Sequence, residues 1–223
     1  MEQEKKTRQY SCVDCAVTEC DNSHHSGHYP AFCVSQALTE EQRAWAKGLY
    51  ADDGEDRKLA QVAAGIEADG YGKWPRVKET ILFAKRMGYH KIGIATCVGL
   101  IRESRTLAKI LRLNGFEVYG VGCKIGELSK AEDLGVPEKH LGPGPAACNP
   151  VLQARLLNEA GTDLNIVMGL CVGHDSLFYK YAEGVTTTLV VKDRAMMHNP
   201  VLPLYGTESY CSYLIKPMED GEA

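Results

Sequence analysis

Residues 91–97 read KIGIATC, and the fold follows from that run and from what comes after it. A short apolar stretch without polar alternation suits a strand covered on both faces. A helical pattern over residues 100–113 follows, stopped by Gly115, and then a second apolar run, FEVYGVG, at 116–122. The alternation continues outward with a helical pattern at 150–159 ending before Gly161, LNIVMG at 164–169, a shorter helical pattern near 176–182, and VTTTLVV at 185–191. Glycine just past the last periodic residue is a common helix stop. Strand–helix–strand repetition implies a parallel sheet with covering helices. The expected fold is therefore α/β, a Rossmann-like three-layer sandwich with a mostly parallel sheet of about four to five strands.

Upstream of this region lie two further helical patterns. Residues 55–68 place Leu59, Val62, Ala63 and Ile66 on one face, and Trp74-Pro75 opens a helix carrying Val77, Ile81, Leu82 and Ala84. Residues 12–33 are rich in Cys, His, Asn, Ser and Gly and show neither period, so a segment this short needs a staple to hold a structure. The expected organisation is a small Cys-rich metal-binding module over residues 1–40, then an α/β domain over 41–223 with a helical lead-in at 41–90.

Composition narrows the function. The 223 residues are 44% hydrophobic and 24% charged, which permits a sizeable core. A net charge of −4 argues against nucleic acid and membrane surfaces as partners, since both call for a basic field. No apolar run reaches the roughly 20 residues of a membrane span, and the charged start lacks a signal-peptide core. A cytoplasmic location is expected, with a small-molecule substrate or redox partner and with homo-oligomerisation left open. Nine cysteines are then the unusual number, because a reducing compartment favours metal ligation or redox chemistry over structural disulfides.

Cys12, Cys15, Cys20 and Cys33 follow C-x2-C-x4-C-x12-C. A C-x2-C pair lets two thiolates grip one ion from a single turn, and a later pair closes the tetrahedron. Zinc and iron–sulfur clusters both accept four thiolates, so the spacing indicates metal without choosing between them. His24, His25 and His28 leave a three-cysteine, one-histidine site open as well.

A second set of cysteines sits at strand ends. Cys97 follows the first strand run, Cys123 the second and Cys171 the third, while Cys148 closes a Gly/Pro-rich loop before the helix opened by Asn149-Pro150. Open α/β sheets bind ligands beyond the carboxyl ends of their strands, so the four converge on one expected crevice. Asn149 suits an N-cap and Pro150 the first helical position. Helix N-termini carry partial positive charge and favour thiolate, the form that binds metal or attacks an electrophile. Arg102, Glu103 and Arg105, Lys124, His174-Asp175, Lys192-Asp193-Arg194 and His198 gather at the same edge. Of these, His174 and Lys192 are the candidate proton-handling residues, and Cys211 reads as a structural thiol. No G-x-G-x-x-G, P-loop, G-x-S-x-G or H-E-x-x-H pattern is present.

The segments CVDCAVTEC, KIGIATCVGLIRES, ACNPVLQARLLN, GLCVGHDSLFYK and VVKDRAMMHNPV resemble the domain-of-unknown-function family 1847. Its members are labelled metal-binding proteins of anaerobic bacteria and archaea. The resemblance runs from about Cys12 to Tyr205 and implies a metal site, often supposed to hold zinc, at Cys12, Cys15, Cys20 and Cys33. It implies no reaction. The strand-end arrangement is also similar, in architecture alone, to α/β enzymes that hold a four-iron cluster by three cysteines. The leading expectation is a redox or sulfur-handling enzyme. It would hold an iron–sulfur cluster, of 4Fe–4S type, on Cys97, Cys123, Cys148 and Cys171, with zinc or a second cluster at the N-terminal quartet. The alternatives are a non-catalytic zinc-binding or metal-sensing protein, and a thiol transferase or redox switch using Cys97 or Cys171.

Overall fold

In the structure, a computed structural model describing residues 11–21, 27–142 and 144–218, the run at residue 91 forms β1, Lys91–Thr96. Three more strands follow: β2 at Glu117–Gly122, β3 at Leu164–Met168 and β4 at Val185–Val190. All pair in parallel in the order β2-β1-β3-β4. The central strands β1 and β3 are buried almost throughout, which is why they read as unbroken apolar runs, while β2 and β4 form the partly exposed edges.

The chain divides into two compact units, Met1–Gln61 and Val62–Ala223. In the first, a four-residue helix α1, Val34–Ala37, precedes α2, Glu40–Leu49. Thr39 starts α2 with a reciprocal capping box, its hydroxyl accepting from Gln42 N while the Gln42 side chain accepts from Thr39 N. The long helix α3, Glu55–Gly70, runs across the division between the units. The second unit holds α4, Arg76–Met87, and the sheet with its crossover helices α5, Ile101–Leu113, α6, Pro150–Glu159, and α7, His174–Tyr181. A short α8, Leu202–Tyr205, lies beyond β4.

Strand order dictates the layers. The chain moves from β1 to β2 in one direction, then jumps back over β1 to β3 and on to β4. Right-handed crossovers therefore put α5 on one face of the sheet and α6 and α7 on the other. Side-chain alternation supplies a core to each face. Ile92, Ile94, Leu164, Ile166 and Met168 pack with Ile81 and Ala84 of α4 and Leu107 and Leu111 of α5. Ala95, Val121 and Val167 pack with Ala154 and Leu157 of α6 and Phe178 of α7. The result is the three-layer Rossmann-like sandwich that the sequence led us to expect, with four strands among the described residues.

The direction of travel reverses between β1 and β3, so the crevice outside their carboxyl ends is the natural ligand position of the sheet. Cys97 and Cys171 lie just beyond those two ends. Stability of this frame rests on the two cores. Leu111 is fully buried on the α5 face. Leu111→Ala should lower unfolding free energy by about 2–5 kcal/mol, read as a drop in the urea midpoint at unchanged slope.

Candidate functional site

Four hydrogen bonds bring the strand ends together. Cys97 N donates to Met168 O (3.0 Å), holding the end of β1 against β3, and Asn149 N donates to Cys123 O (2.8 Å), holding the start of α6 against the end of β2. The buried amide of Gln153, one turn into α6, donates from Nε2 to Thr96 O (3.2 Å) and to Val121 O (2.7 Å), fastening α6 to β1 and β2 together. Asn149 caps α6 as its sequence suggested, its Oδ1 accepting from Leu152 N at 3.0 Å with Pro150 at the first turn.

Alternation along the strands then fixes where the thiols point. Ala95 and Val121 are register partners facing the α6–α7 layer, and two residues further on Cys97 and Cys123 belong to the same core cluster. Cys148, at the mouth of α6, packs against that cluster. The thiol of Cys123 interacts with both Cys148 and Cys97. Cys97 and Cys123 are buried, Cys148 and Cys171 half-buried.

The electrostatics divide the group. Cys97 is pulled down to about 5, first by the hydrogen bond from Cys123, then by the Gly99 N–H and the Lys192 ammonium, against the opposing effect of burial. Cys148 is pulled down to about 4, first by Cys123 and then by the imidazole of His174, again with burial opposing. The Cys123 thiol is pushed far upward by its two sulfur neighbours and by burial, and so keeps its proton. The group is thus biased toward thiolate at Cys97 and Cys148 and toward thiol at Cys123. His174 is itself shifted upward, chiefly by Cys148, and its Nδ1 is buried without a hydrogen-bond partner. Backbone N–H groups also face the sulfurs, with Val98 N lying 3.4 Å from Cys123 Sγ.

Cys171 joins the group through Arg194. Arg194 Nη2 donates to its sulfur at 3.2 Å. The Arg194 guanidinium is held above its ordinary range first by that hydrogen bond, and the charges of Cys97 and Cys148 add to the effect. Lys192 and Arg194 owe their positions to the turn after β4. There Asp193 Oδ1 accepts from Ala195 N and Met196 N, Asp193 N donates to His198 Nδ1 (3.1 Å), and Met197 and His198 take left-handed backbone angles. His198 therefore closes the turn. Lys124 Nζ bonds Ala146 O at 2.5 Å, and Arg102, Glu103 and Arg105 lie exposed on α5.

At the N-terminus, Cys12 and Cys15 share one turn, Cys15 N donating to Cys12 O at 3.1 Å. Cys20 lies in a single 3-10 turn, Glu19–Asp21, and Cys33 precedes α1. His24 and His25, which the mixed Cys/His alternative would use, lie outside the described residues. As they stand, no three or more His, Cys, Asp and Glu side chains among the described residues are spaced to hold one metal ion, here or at the sheet edge.

The structure thus gathers Cys97, Cys123, Cys148, His174 and Lys192 into one linked group, with Cys171 joined to its rim through Arg194. Sequence reasoning did not single out two contributors. Arg194 was passed over among neighbouring charges, although it lies only two residues beyond Lys192. Gln153 left a clearer signal, a polar residue on a helix face otherwise formed by Pro150, Ala154 and Leu157.

Both lowered thiols are more acidic in the fold than in an unfolded chain, where a cysteine titrates near 8.5. Their contribution to stability is complete above that value and is lost as pH falls through about 5 for Cys97 and about 4 for Cys148. In reduced, metal-free protein, thiolate ultraviolet absorbance should persist to about pH 5, and Lys192→Gln should move the Cys97 titration upward. Loss of that absorbance near pH 8 would contradict the arrangement.

Comparison with known proteins agrees with the sequence resemblance. The chain is 48% identical over 162 residues to "Uncharacterized protein MJ0455" of Methanocaldococcus jannaschii, covering 73% of this chain and 82% of that protein. Residues 33–189 match the model of the family described as "Protein of unknown function (DUF1847)". The matched stretch takes in Cys33, Cys97, Cys123, Cys148, Cys171 and His174, and leaves Cys12, Cys15, Cys20, Lys192 and Arg194 outside it. The chain belongs to this DUF1847 family.

Proposed function

We propose that the carboxyl edge of the sheet holds an iron–sulfur cluster on its cysteines, and that the protein uses it in redox or sulfur-handling chemistry. One observation carries this reading. Cysteines from separate strand and helix ends meet on one face of the sheet, at the switch of strand order, and two of them are shifted toward the thiolate form. Metal ligation requires deprotonated sulfur, so the donor set is prepared before metal arrives. The chemistry of the donors fits such a group: thiolates, backbone N–H groups on the sulfurs, and Lys192, Arg194 and His174 to balance negative charge. A bound cluster would supply one-electron transfer, or an electrophilic iron where one position stays open.

The chain's own residues then take distinct parts. Cys97, Cys123 and Cys148 form the binding trio. His174, next to Cys148, and Lys192, next to Cys97, would hold or move protons at the crevice. Cys12, Cys15, Cys20 and Cys33 serve as a separate metal site, for zinc or a second cluster.

A second reading has its own support. Zinc accepts thiolates together with imidazole, and the His174 ring stands beside Cys148. A non-catalytic zinc-binding or metal-sensing protein would use the same trio.

Purification without oxygen, followed by metal and acid-labile sulfide analysis and visible spectroscopy, separates the two. The cluster reading expects brown protein with iron and sulfide in matching amounts. Replacing Cys97 and Cys123 with Ala should remove that iron and leave the metal of the N-terminal quartet. Colourless protein carrying zinc and no iron would end the cluster reading.

A further inference from the structure

The four strand-end thiols are not equivalent. Cys97, Cys123 and Cys148 are linked to one another, and Cys123 is 2% exposed. Cys171 stands on the loop between β3 and α7, beside Val172 at 94% exposure, and its sulfur accepts from Arg194 instead. We infer that Cys171 is the substrate-facing thiol of this site rather than a fourth metal ligand, and that Arg194 and Lys192 make its substrate a small anion. The inference rests on the reading that the trio binds metal, and it assigns the remaining thiol a different task.

Charge around Cys171 supports the choice of an anion. None of the five ion pairs among the described residues uses Lys124, Lys192 or Arg194. The nearby carboxylates are engaged with backbone: Asp193 Oδ1 with two N–H groups of its turn, and Asp175 Oδ1 with Ser176 N. A guanidinium offers five N–H donors in a rigid fork, and the bond to Cys171 Sγ uses one of them. The remaining edge can hold a carboxylate or similar oxyanion against the sulfur. Lys192 Nζ and Cys97 Sγ lie 3.6 Å and 3.8 Å from where a Cβ on Gly99 would stand, so a side chain there would touch both ammonium and thiol. Nδ1 of His174 and Oε1 of Gln153, a residue 0% exposed, are buried without a hydrogen-bond partner. Native structures rarely leave such atoms unpaired without a functional reason.

The chemistry assigned to Cys171 is a displacement. Its sulfur, having lost its proton to solvent, forms a bond to an electrophilic atom of the anionic substrate. The bond from that atom to its leaving group breaks, and the leaving group departs with the bonding pair. No oxidant or reductant is consumed.

The test uses full-length protein purified without oxygen. Iodoacetate, an anion, and iodoacetamide, its neutral counterpart, are compared by the rate at which each modifies Cys171, read residue by residue by peptide mass spectrometry. The ratio of the two rates at Cys171 should fall roughly three- to ten-fold in Arg194→Gln, the size expected for one fixed charge about 4 Å away at the dielectric of water. Cys171→Ala, and Cys171→Ser as the variant closer in volume, should keep the sheet-edge metal. Loss of that metal in both folded variants would make Cys171 a ligand and overturn the inference while leaving the metal reading intact. An unchanged ratio in Arg194→Gln would overturn it as well. Wild-type protein with no metal at the edge, but with the charge preference intact, would remove the metal reading and support the role of Cys171.

Discussion

The two bonds from Gln153 Nε2 to the carbonyls of Thr96 and Val121 are what the site depends on. Parallel strands end with carbonyls pointing along the sheet edge, and a buried carbonyl without a donor is costly. One amide satisfies two strands at once and thereby fixes how far the first turn of α6 reaches over the sheet. That placement, with Asn149 N on Cys123 O, sets Cys148 beside Cys123. A helix shifted by one turn, 5.4 Å, would leave the thiols too far apart to share a proton. The core residues Ala154 and Leu157, 0% exposed, hold α6 against the sheet over its length, and the amide selects the register.

Sharing a proton determines the charge of the group. Three ordinary thiols would be mostly protonated near neutral pH. Here Cys123 is shifted toward the thiol and its two sulfur neighbours toward thiolate, with Lys192 acting on Cys97 and His174 on Cys148. Burial alone would push all three thiols toward the neutral form, so for Cys97 and Cys148 the hydrogen bonds outweigh desolvation. An arrangement that keeps charge on partly buried sulfur would be wasteful in a purely structural core, where Cys acts as a small apolar residue. Cys211, 9% exposed near the C-terminus with Gly206 packed closely on it, is that ordinary case.

Much of this was legible in the chain because it depends on local rules. The apolar runs, Asn149-Pro150 and the glycine stops mark where strands and helices end, and parallel strands place all their carboxyl ends together. Cysteines immediately after those ends were therefore bound to share an edge. The start of α7 was less legible. It begins at His174, without a side-chain cap, because Gly173 at φ 83° makes the entry and leaves no Ser, Thr, Asp or Asn signal. The pairing within the edge was not legible at all, since it depends on which face each residue takes and on a fully buried glutamine that binds through space.

Cys171 shows the limit most clearly. By position it matches Cys97 and Cys123, each lying just past a strand. Continued alternation from Val167 would carry residues 169 and 171 to the α6–α7 face with them. Gly169 interrupts the alternation. At φ 69° it adopts a left-handed turn, and Leu100 fills the space a Cβ would need, so another residue could not take its place without displacing that side chain. The turn shifts the phase by one residue, and Leu170, 2% exposed, takes the inward position instead. Cys171 is thereby carried out to the rim, where Arg194 from the β4 turn meets it. One glycine thus separates a thiol within the linked trio from a thiol open to the crevice.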